Sequence, residues 1–345
     1  MHYGLIHVGL PTMVDLAKEK LPNIIVGNEP KNFEVCKEGD IVFADASEDT
    51  DEVAKAVEFY ALHGKEVVCG LHTIHGRDNK AKTIVGFKGY AFSSRAFHNQ
   101  IRRIAQGTKI YSINTKNFSE CYIGIPSKEE QLKIGGLLHL LDERIETQNK
   151  IIEELEKLKV CIRTLIFRTL NCSWFLLSEL EANGDICLKR GNIIPKHGHT
   201  DIFCYPVYSS SVQNGGLMGY NNTYMFNNEL VTWSIDGGGN FFYRHKHKFN
   251  VTNVSGYMQL NETKYNYRFV SEILLWQHSF MVFDYQTKAH PSVIKSIYKL
   301  PDMSLAEQEL IANIFRLLDV KLQNGITILK QYQQQKQYLL RQMFI

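Results

Sequence analysis

The sequence has no long apolar run, no paired cysteine motif and no strong excess of charge. No run reaches the roughly 18 apolar residues of a membrane span, and the first ten residues lack the basic start and apolar core of a signal peptide. The 7 cysteines form no C-x-x-C pair, which argues against a zinc or disulfide framework and indicates reduced thiols in a cytoplasmic protein. The net charge is +3 and no segment is strongly basic, so bulk charge does not indicate nucleic-acid binding.

Several enzyme signatures are also missing. The sequence contains no G-x-x-x-x-G-K-[ST] phosphate loop and no Asn-Pro-Pro-Tyr motif of adenine methyltransferases. The string DGGGN at 236–240 lacks the spacing of a dinucleotide-binding loop. Asp45 and Asp236 have no E-x-K partner at a spacing that would suggest a nuclease. We therefore expect a chain without catalytic residues and without a metal site.

One segment occurs twice, about 177 residues apart. Residues 126–167 and 301–345 align on two Glu-Gln pairs, at 130–131 and 307–308, and Leu-Asp recurs at 318–319 after 141–142. A repeat of this period is too long for a solenoid and indicates two similar halves. Each half is predicted to be a globular segment followed by a long helix.

The apolar positions of the two helices alternate in steps of four and three residues, which is typical of a coiled-coil seam. Both copies interrupt this pattern at the same place, with Gln148 in one and Gly325 in the other. Two matched seams predict that the helices pair antiparallel, and the alternative is a helix packed only on its own domain. The predicted seam residues are Ile134, Leu138, Leu141, Ile145, Ile152, Leu155, Ile311, Phe315, Leu318, Leu322, Leu329 and Tyr332.

The two globular halves share a pattern of strands. A polar turn precedes a short strand of period two, and an apolar strand interrupted by a glycine follows. These patterns lie at 37–47 and 65–74 in the first half and at 227–237 and 248–260 in the second. We expect the backbone to turn or to be closely approached at the two glycines, Gly70 and Gly256. Short strands with interspersed helices predict an α+β class.

In this order, and twice over, the segments resemble the specificity subunits of type I restriction–modification systems. YPVYSSSVQNGGLMGY (205–220), followed by ELVTWSIDG and NVTNVSGYM, resembles their target-recognition domains, as does KEGDIVFADASEDTDEVAKAVE (37–58) with VVCGLHTI and IRRIAQGTKIYSI. The Glu-Gln and Leu-Leu-Asp segments look like the spacer helices of that family. The first half begins at HYGLIHVGLPT without an equivalent of the lead-in at 173–190, so we expect a natural start upstream or a truncated or recombined gene product.

The resemblance implies a domain organisation. Two target-recognition domains, 1–126 and 173–300, are each followed by a spacer helix, in 127–172 and 301–345. The helices are expected to pair as an antiparallel coiled coil with pseudo-twofold symmetry. Each domain would read one half of a split target in double-stranded DNA, and the helices would act as a ruler for the spacer between the half-sites.

The resemblance also implies partners. The subunit itself is expected to be non-catalytic and to hold no cofactor. It would dock two adenine methyltransferase subunits, which use S-adenosylmethionine, and restriction motor–nuclease subunits, which use ATP and Mg²⁺, with no membrane involved. Two other functions stay open from the sequence: a free-standing endonuclease, and a coiled-coil scaffold that does not bind nucleic acid.

Candidate DNA contacts come from local clusters, because phosphates attract Lys and Arg and base edges need paired donors or acceptors. The segments FFYRHKHKF (241–249) and HTIHGRDNKAK (72–82) are the richest in such side chains, although a solvated loop explains each equally well. A metal at His245-x-His247 is not favoured, since no third ligand is evident nearby. The candidates are His72, His75, Arg77, Lys80, Arg102, Arg103, Lys109, Tyr208, Ser210, Arg244, His245, Lys246, Lys248 and Lys288.

Overall fold

The computed structural model describes residues 1–344 apart from 26, 28–31, 195–203, 212, 237, 282 and 284–287. The chain divides into two compact units. Unit 1 consists of Met1–Ile151 and Gly325–Ile345, and unit 2 consists of Ile152–Asn324. Across the described part of the chain, no helix is both long enough and apolar enough to cross a membrane.

Unit 1 contains short strands and short helices before its first long helix. The strands are β1 (Met13–Asp15), β2 (Ile41–Ala44), β3 (Ala46–Ser47), β4 (Ala56–Ala61), β5 (Thr73–Gly76) and β6 (Tyr111–Ser112). The helices are α1 (Tyr3–His7), α2 (Lys88–Phe92), α3 (Arg95–Ile104), α4 (Thr115–Phe118) and the long α5 (Lys128–Arg168). Four strands form a sheet in the order β1-β4-β2-β5, with β1 parallel to β4 and the other pairs antiparallel. β3 pairs with β6.

Both faces of the unit 1 sheet are covered, and β2 shows why. Its four residues are apolar and all are buried, so side chains that alternate across the strand meet a core on each face. Val42 packs in a cluster with Phe59 of β4. Phe43 packs on the opposite side in a cluster with Phe97 and Ile101 of α3.

Unit 2 carries the remaining elements. The strands are β7 (Trp174–Leu176), β8 (Ile186–Arg190), β9 (Tyr205–Tyr208), β10 (Leu217–Asn221), β11 (Leu230–Ser234), β12 (Phe241–Arg244), β13 (Asn250–Val251), β14 (Ser255–Leu260) and β15 (Lys299–Pro301). The helices are α6 (Leu177–Ala182), α7 (Tyr267–His278), α8 (Pro291–Ile297) and the long α9 (Leu305–Gln342). An antiparallel sheet has the order β12-β11-β14-β8, a second sheet has the order β10-β9-β13, and β7 pairs with β15.

The core of unit 2 is a single large cluster around Trp233 of β11. Its indole is buried and donates its Nε1–H to the Ala289 carbonyl over 2.8 Å. The ring lies over Gly256 of β14, where a Cβ would come within 2.1 Å of Trp233 Cζ2. A Cβ on Gly70 in unit 1 would likewise lie 2.9 Å from the Met1 carbonyl oxygen. The predicted close approach at both glycines is therefore confirmed.

Both long helices begin with the same capping box. In α5 the Glu130 carboxylate accepts from the Ser127 amide over 3.0 Å, and the Ser127 hydroxyl accepts from the Glu130 amide. In α9 the Glu307 carboxylate accepts from the Ser304 amide over 2.9 Å, and the Ser304 hydroxyl accepts from the Glu307 amide. These reciprocal bonds satisfy amides that the first helical turn leaves unpaired. They explain the Glu of each repeated Glu-Gln pair.

The two long helices run antiparallel in each unit. In unit 1, Lys336 lies 2.5 Å from Asp142, and Gln148 donates to the Gly325 carbonyl over 3.2 Å. A later residue of α5 thus meets an earlier residue of α9. Two contacts show the same antiparallel order in unit 2. Lys159 of α5 lies 2.6 Å from Asp319 of α9, and the later Phe167 of α5 stacks on the earlier Phe315 of α9.

All twelve predicted seam residues are buried or half-buried. The interruption falls where Gln148 of α5 meets Gly325 of α9, its own equivalent in the repeat. Knobs-into-holes packing as a coiled coil stays a prediction, as do the proposed domain boundaries. Each long helix contributes one part to unit 1 and the other to unit 2.

The predicted strand positions hold in part. β2 and β11 lie inside the segments 37–47 and 227–237, as expected. The strand predicted at 65–74, with an interruption at Gly70, forms only in part, because β5 begins only at Thr73. Within that segment Val68 forms an isolated bridge with Val35. The amide of Gly70 then donates to Met1, which takes the chain out of any ladder before β5 begins.

Candidate nucleic-acid interface

The richest cationic segment of unit 2 connects two of its sheets. β12 belongs to the four-stranded sheet and β13 to the three-stranded sheet, so residues 245–249, here called the cationic loop, cross from one to the other. β13 then pairs in parallel with β9, whose last residue is Tyr208. The loop is therefore anchored at both ends by paired strands.

A ladder of aromatic rings supports the cationic loop. The rings of His245 and His247 stack at 4.4 Å, and those of His247 and Phe249 at 4.6 Å. The Nε2 of His247 lies 3.2 Å from the Tyr208 hydroxyl, and burial lowers the pKa of His247. Since the ordinary pKa of histidine is about 6.5, His247 is neutral at pH 7 and belongs to the stacked aromatic rings that support the loop.

The other polar side chains of the loop are exposed to solvent beside these stacked rings. His245, Lys246 and Lys248 are exposed. The Lys248 ammonium lies 4.8 Å from the ring centroid of Tyr224 and 5.6 Å from that of Tyr205, distances at which cation–π attraction operates. Two lysines and one exposed imidazole on a rigid aromatic support suit contact with phosphate oxygens.

Arg244 has a different environment from its neighbours. Its side chain is buried, and its guanidinium lies 3.6 Å from the ring centroid of Tyr208. Nε donates to Thr232 Oγ1 over 2.9 Å, and Nη2 donates to the Gly215 carbonyl over 2.7 Å. Burial lowers the pKa of Arg244 to about 10, so the group is still charged at pH 7. These contacts tie β11, β12 and the turn Gln213–Gly216 together, which makes Arg244 a positioning residue for Tyr208.

Two other candidates of unit 2 also have internal partners. Ser210 is half-buried, and its carbonyl accepts from the Ser234 hydroxyl over 2.7 Å. Lys288 lies 2.9 Å from Asp236. Tyr208 is half-buried between Arg244 and the aromatic ladder. Among the predicted DNA contacts of unit 2, the exposed side chains are thus His245, Lys246 and Lys248 of the cationic loop.

In unit 1, two of the residues predicted to contact DNA bind instead to the buried carboxylate of Asp40. His75 Nε2 lies 2.8 Å from Asp40 Oδ2, and Arg77 donates to both carboxylate oxygens, through Nε at 2.9 Å and Nη2 at 2.5 Å. Burial alone would raise the pKa of Asp40, but the hydrogen bonds from Arg77, the Lys37 amide and His75 lower it. Arg77 therefore pairs with an internal charge and His75 contacts the same carboxylate, a partner that the charge pattern of 72–82 did not reveal.

The other unit 1 candidates lie on separate segments. His72 Nδ1 is 3.2 Å from Asp45, and Arg102, at the end of α3, is 2.5 Å from Asp51. Besides these two exposed side chains, the exposed candidates are Lys80, Arg103 and Lys109. They belong respectively to the turn after β5, the last turn of α3 and the loop before β6. Contact of any of these side chains with DNA stays a prediction.

One polar site recurs with the same hydrogen bonds in both units, and the sequence did not reveal it as a site. Gln131 is buried, donates through Nε2 to the carbonyls of Lys82 and Pro126, and accepts the Ile84 amide at Oε1, all within 3.0 Å. Its repeat equivalent in α9, Gln308, makes three bonds of the same kind over the same range. Those partners are the carbonyls of Lys264 and Met303 and the amide of Asn266. Each glutamine ties a long helix to its own globular part.

The aspartates of the repeated Leu-Asp pair form a second duplicated link. Asp142 accepts from the Tyr90 hydroxyl over 2.8 Å and pairs with Lys336 of α9. Asp319 pairs with Arg268 and with Lys159 of α5. In each unit, one aspartate on a long helix joins the other long helix to the globular part. The recurrence of Leu-Asp at the same offset was the sequence signal for this link.

Comparison with known proteins is consistent across sequence and fold. The family model described as the type I restriction modification DNA specificity domain matches residues 26–157 and 178–331. A Mycoplasma pneumoniae protein named as a type I specificity subunit is 36% identical over 150 residues, which cover 41% of this chain and 48% of the relative. The chain thus spans about half the length of that curated relative.

Two solved structures share the fold. A type I restriction–modification S subunit from M. genitalium has a TM-score of 0.55 and 17% identity, over 92% of this chain and 86% of that one. A chain from a structural study of assembly and conformational transition in a type I restriction–modification system has a TM-score of 0.62 and 13% identity, over 95% and 89%. The two matches to the specificity-domain model cover most of the sequence. The chain therefore belongs to the type I restriction–modification specificity-subunit family, with two copies of its DNA specificity domain.

Proposed function

We propose that the chain is a sequence-specific DNA-binding subunit that reads a bipartite target in double-stranded DNA, one half-site with each specificity domain. The observation that carries this proposal is the duplication itself. Two matches to one specificity domain lie in a single chain, and each domain is anchored to a long helix by the same three glutamine hydrogen bonds. Two such domains on one polypeptide suit a target read in two parts.

The cationic loop supports contact with DNA in unit 2. Lys246 and Lys248 are exposed beside stacked rings, and phosphate oxygens attract such charges without regard to sequence. Base reading would fall to neighbouring groups that offer hydrogen bonds at the loop surface, such as His245. Arg244 would act indirectly by holding Tyr208 in place.

The chain would direct chemistry that its partners perform. We assign adenine methylation, with S-adenosylmethionine, to two methyltransferase subunits, and ATP- and Mg²⁺-dependent cleavage to restriction motor–nuclease subunits, all acting in the cytoplasm. A duplicated apolar feature supports two copies of one partner. Leu137 and Leu140 of α5 are exposed, and so are their repeat equivalents Ile314 and Leu317 of α9. Exposed apolar residues at matched positions suit two equivalent docking sites.

The test uses the chain reconstituted with its methyltransferase subunits. Lys246→Ala should weaken DNA binding and reduce the slope of log affinity against log salt by about 1, because one phosphate contact is lost. Arg244→Ala should leave that slope unchanged and impair selection of one half-site, since Tyr208 loses its support. Lys157→Ala is the matched control, because Lys157 is an exposed lysine on α5 in the same unit.

Fluorescence anisotropy over a salt series gives affinity and slope, and sequencing of methylated adenines gives the half-sites. If the reconstituted complex binds DNA without salt dependence, the proposal is contradicted and the alternative of a coiled-coil scaffold that does not bind nucleic acid is favoured. Metal-dependent cleavage of DNA by the chain alone would favour the free-standing endonuclease.

A further inference from the structure

Two cysteines of unit 1 lie in contact although they are far apart in sequence. The sulfur atoms of Cys36 and Cys69 are 3.6 Å apart. The backbone fixes this arrangement, since Val35 bridges Val68 and the Cys36 amide donates to the Val67 carbonyl over 2.8 Å. Cys36 belongs to the buried core, whereas Cys69 is half-buried at its edge. Cys69 is therefore the more exposed residue of the pair.

The surroundings of the pair make Cys69 the more reactive thiol. The hydrogen bond from Cys36 lowers the pKa of Cys69 to about 7, against the effect of burial, and the nearby His75 acts in the same sense. The same hydrogen bond and burial raise the pKa of Cys36. Burial also raises the pKa of Cys121 and Cys172. The thiolate is the form that attacks disulfides, so Cys69 combines thiolate character with access.

A bound cation is a weaker explanation of this cluster. Cys36, Asp40 and His75 place a thiol, a carboxylate and an imidazole within 4.8 Å of one another. However, the oxygens of Asp40 already accept from the Lys37 amide, His75 and Arg77. A carboxylate occupied by four donors has little capacity left for a metal ion. The contact of the two sulfurs is the feature that needs a function.

We propose that Cys36 and Cys69 are a redox-active pair that a low-molecular-weight disulfide, such as oxidised glutathione, converts into an intramolecular disulfide. The Cys69 thiolate attacks one sulfur of oxidised glutathione, forms a mixed disulfide and releases one glutathione thiolate. Cys36 loses its proton to solvent and attacks the Cys69 sulfur, which forms the Cys36–Cys69 bond and releases the second glutathione. The two cysteines are oxidised, and one oxidised glutathione is reduced to two thiols.

The exchange would act close to predicted DNA contacts. Cys69 precedes His72 and β5, and His75 of β5 joins the Asp40 network described above. Oxidation removes the thiolate that faces His75 and links the segment before β5 to the segment that carries Asp40. The chemistry of the pair does not depend on DNA binding, so it can be tested separately from the proposed function.

The experiment treats the purified full-length chain with buffers of defined ratio of reduced to oxidised glutathione. After acid quenching and alkylation, peptide mass mapping without reduction locates every cysteine. We expect the loss of two free thiols per chain, a mass decrease of about 2 Da and a linked peptide pair containing Cys36 and Cys69. Reduced glutathione in excess should restore both thiols.

Three variants separate the roles of the two sulfurs. Cys36→Ser should stop at a glutathione adduct on Cys69, and Cys69→Ser should leave Cys36 unmodified. Cys161→Ser is the matched control and should still form the disulfide, because Cys161 is exposed on α5. The wild-type peptide map needs no variant to fold. A wild-type chain in which Cys69 keeps its glutathione adduct, or in which Cys161 and Cys204 react while Cys36 and Cys69 stay reduced, overturns the proposal.

Discussion

The replacement of Gln131 by alanine is a direct test of the link between a long helix and its globular part. The change removes two donated hydrogen bonds and the acceptor of the Ile84 amide. Each neutral hydrogen bond contributes about 1 kcal/mol net, and an amide left without a partner costs about 1–3 kcal/mol. We therefore expect unit 1 to lose about 3–5 kcal/mol of unfolding free energy.

Hydrogen exchange measured by mass spectrometry can follow the two units separately. Gln131→Ala should lower protection in unit 1, and Gln308→Ala should lower it in unit 2. Gln337→Ala is the control, because Gln337 is an exposed glutamine on α9. If Gln131→Ala and Gln337→Ala differ by less than about 0.5 kcal/mol, which is the usual range for surface substitutions, the duplicated glutamine is not an anchor.

Three further predictions concern packing, pH and spacing. Gly256→Ala should destabilise unit 2 by about 3 kcal/mol in urea unfolding, because the added methyl overlaps the Trp233 indole. Gly219→Ala, where a Cβ meets nothing within 4 Å, should stay near wild type. Burial lowers the pKa of His278 in the folded chain below its unfolded pKa of about 6.5. Its contribution to stability is therefore present above about pH 6.5 and is lost as the pH falls through the folded pKa. His278→Gln should flatten this part of the pH profile of thermal unfolding. One heptad inserted after Gln148 together with one after Gly325 adds about 10 Å to each helix, so under the proposed function the same half-sites should be methylated at a spacing about three base pairs longer, whereas unchanged spacing would rule out the helices as a ruler.

The duplicated features of the chain could be read from the sequence. Gln131 and Gln308 recur because the same three hydrogen bonds require the same side chain, and the alignment located them without giving their role. The seam residues follow from periodicity alone, because burial on one face of each long helix imposes it. β2 was located correctly, but the predicted period of two is absent because both of its faces are buried. The close approach at Gly256 could be predicted because a glycine, which has no side chain, interrupts an apolar strand there.

Interactions between residues distant in sequence could not be read in this way. A run of cationic residues does not show which of them meets a buried carboxylate, as Arg77 meets Asp40, or an aromatic face, as Arg244 meets Tyr208. The pairing of Cys36 with Cys69 follows no local spacing motif for the same reason. The strand predicted at 65–74 was misplaced because apolar content does not distinguish an isolated bridge from a ladder.

The discontinuity of unit 1 has a consequence for how the chain matures on the ribosome. Unit 2 is one continuous stretch, whereas unit 1 needs Gly325–Ile345 as well as the N-terminal segment. Leu339, Leu340 and Phe344 pack against the cluster of Tyr90 and Leu138, so this apolar surface stays open until residues 339–344 have been synthesised. Domains usually form in the order of translation, but here the half that is made first is completed last. A released chain that ends at Asn324 should therefore contain all of unit 2 but an unfinished unit 1.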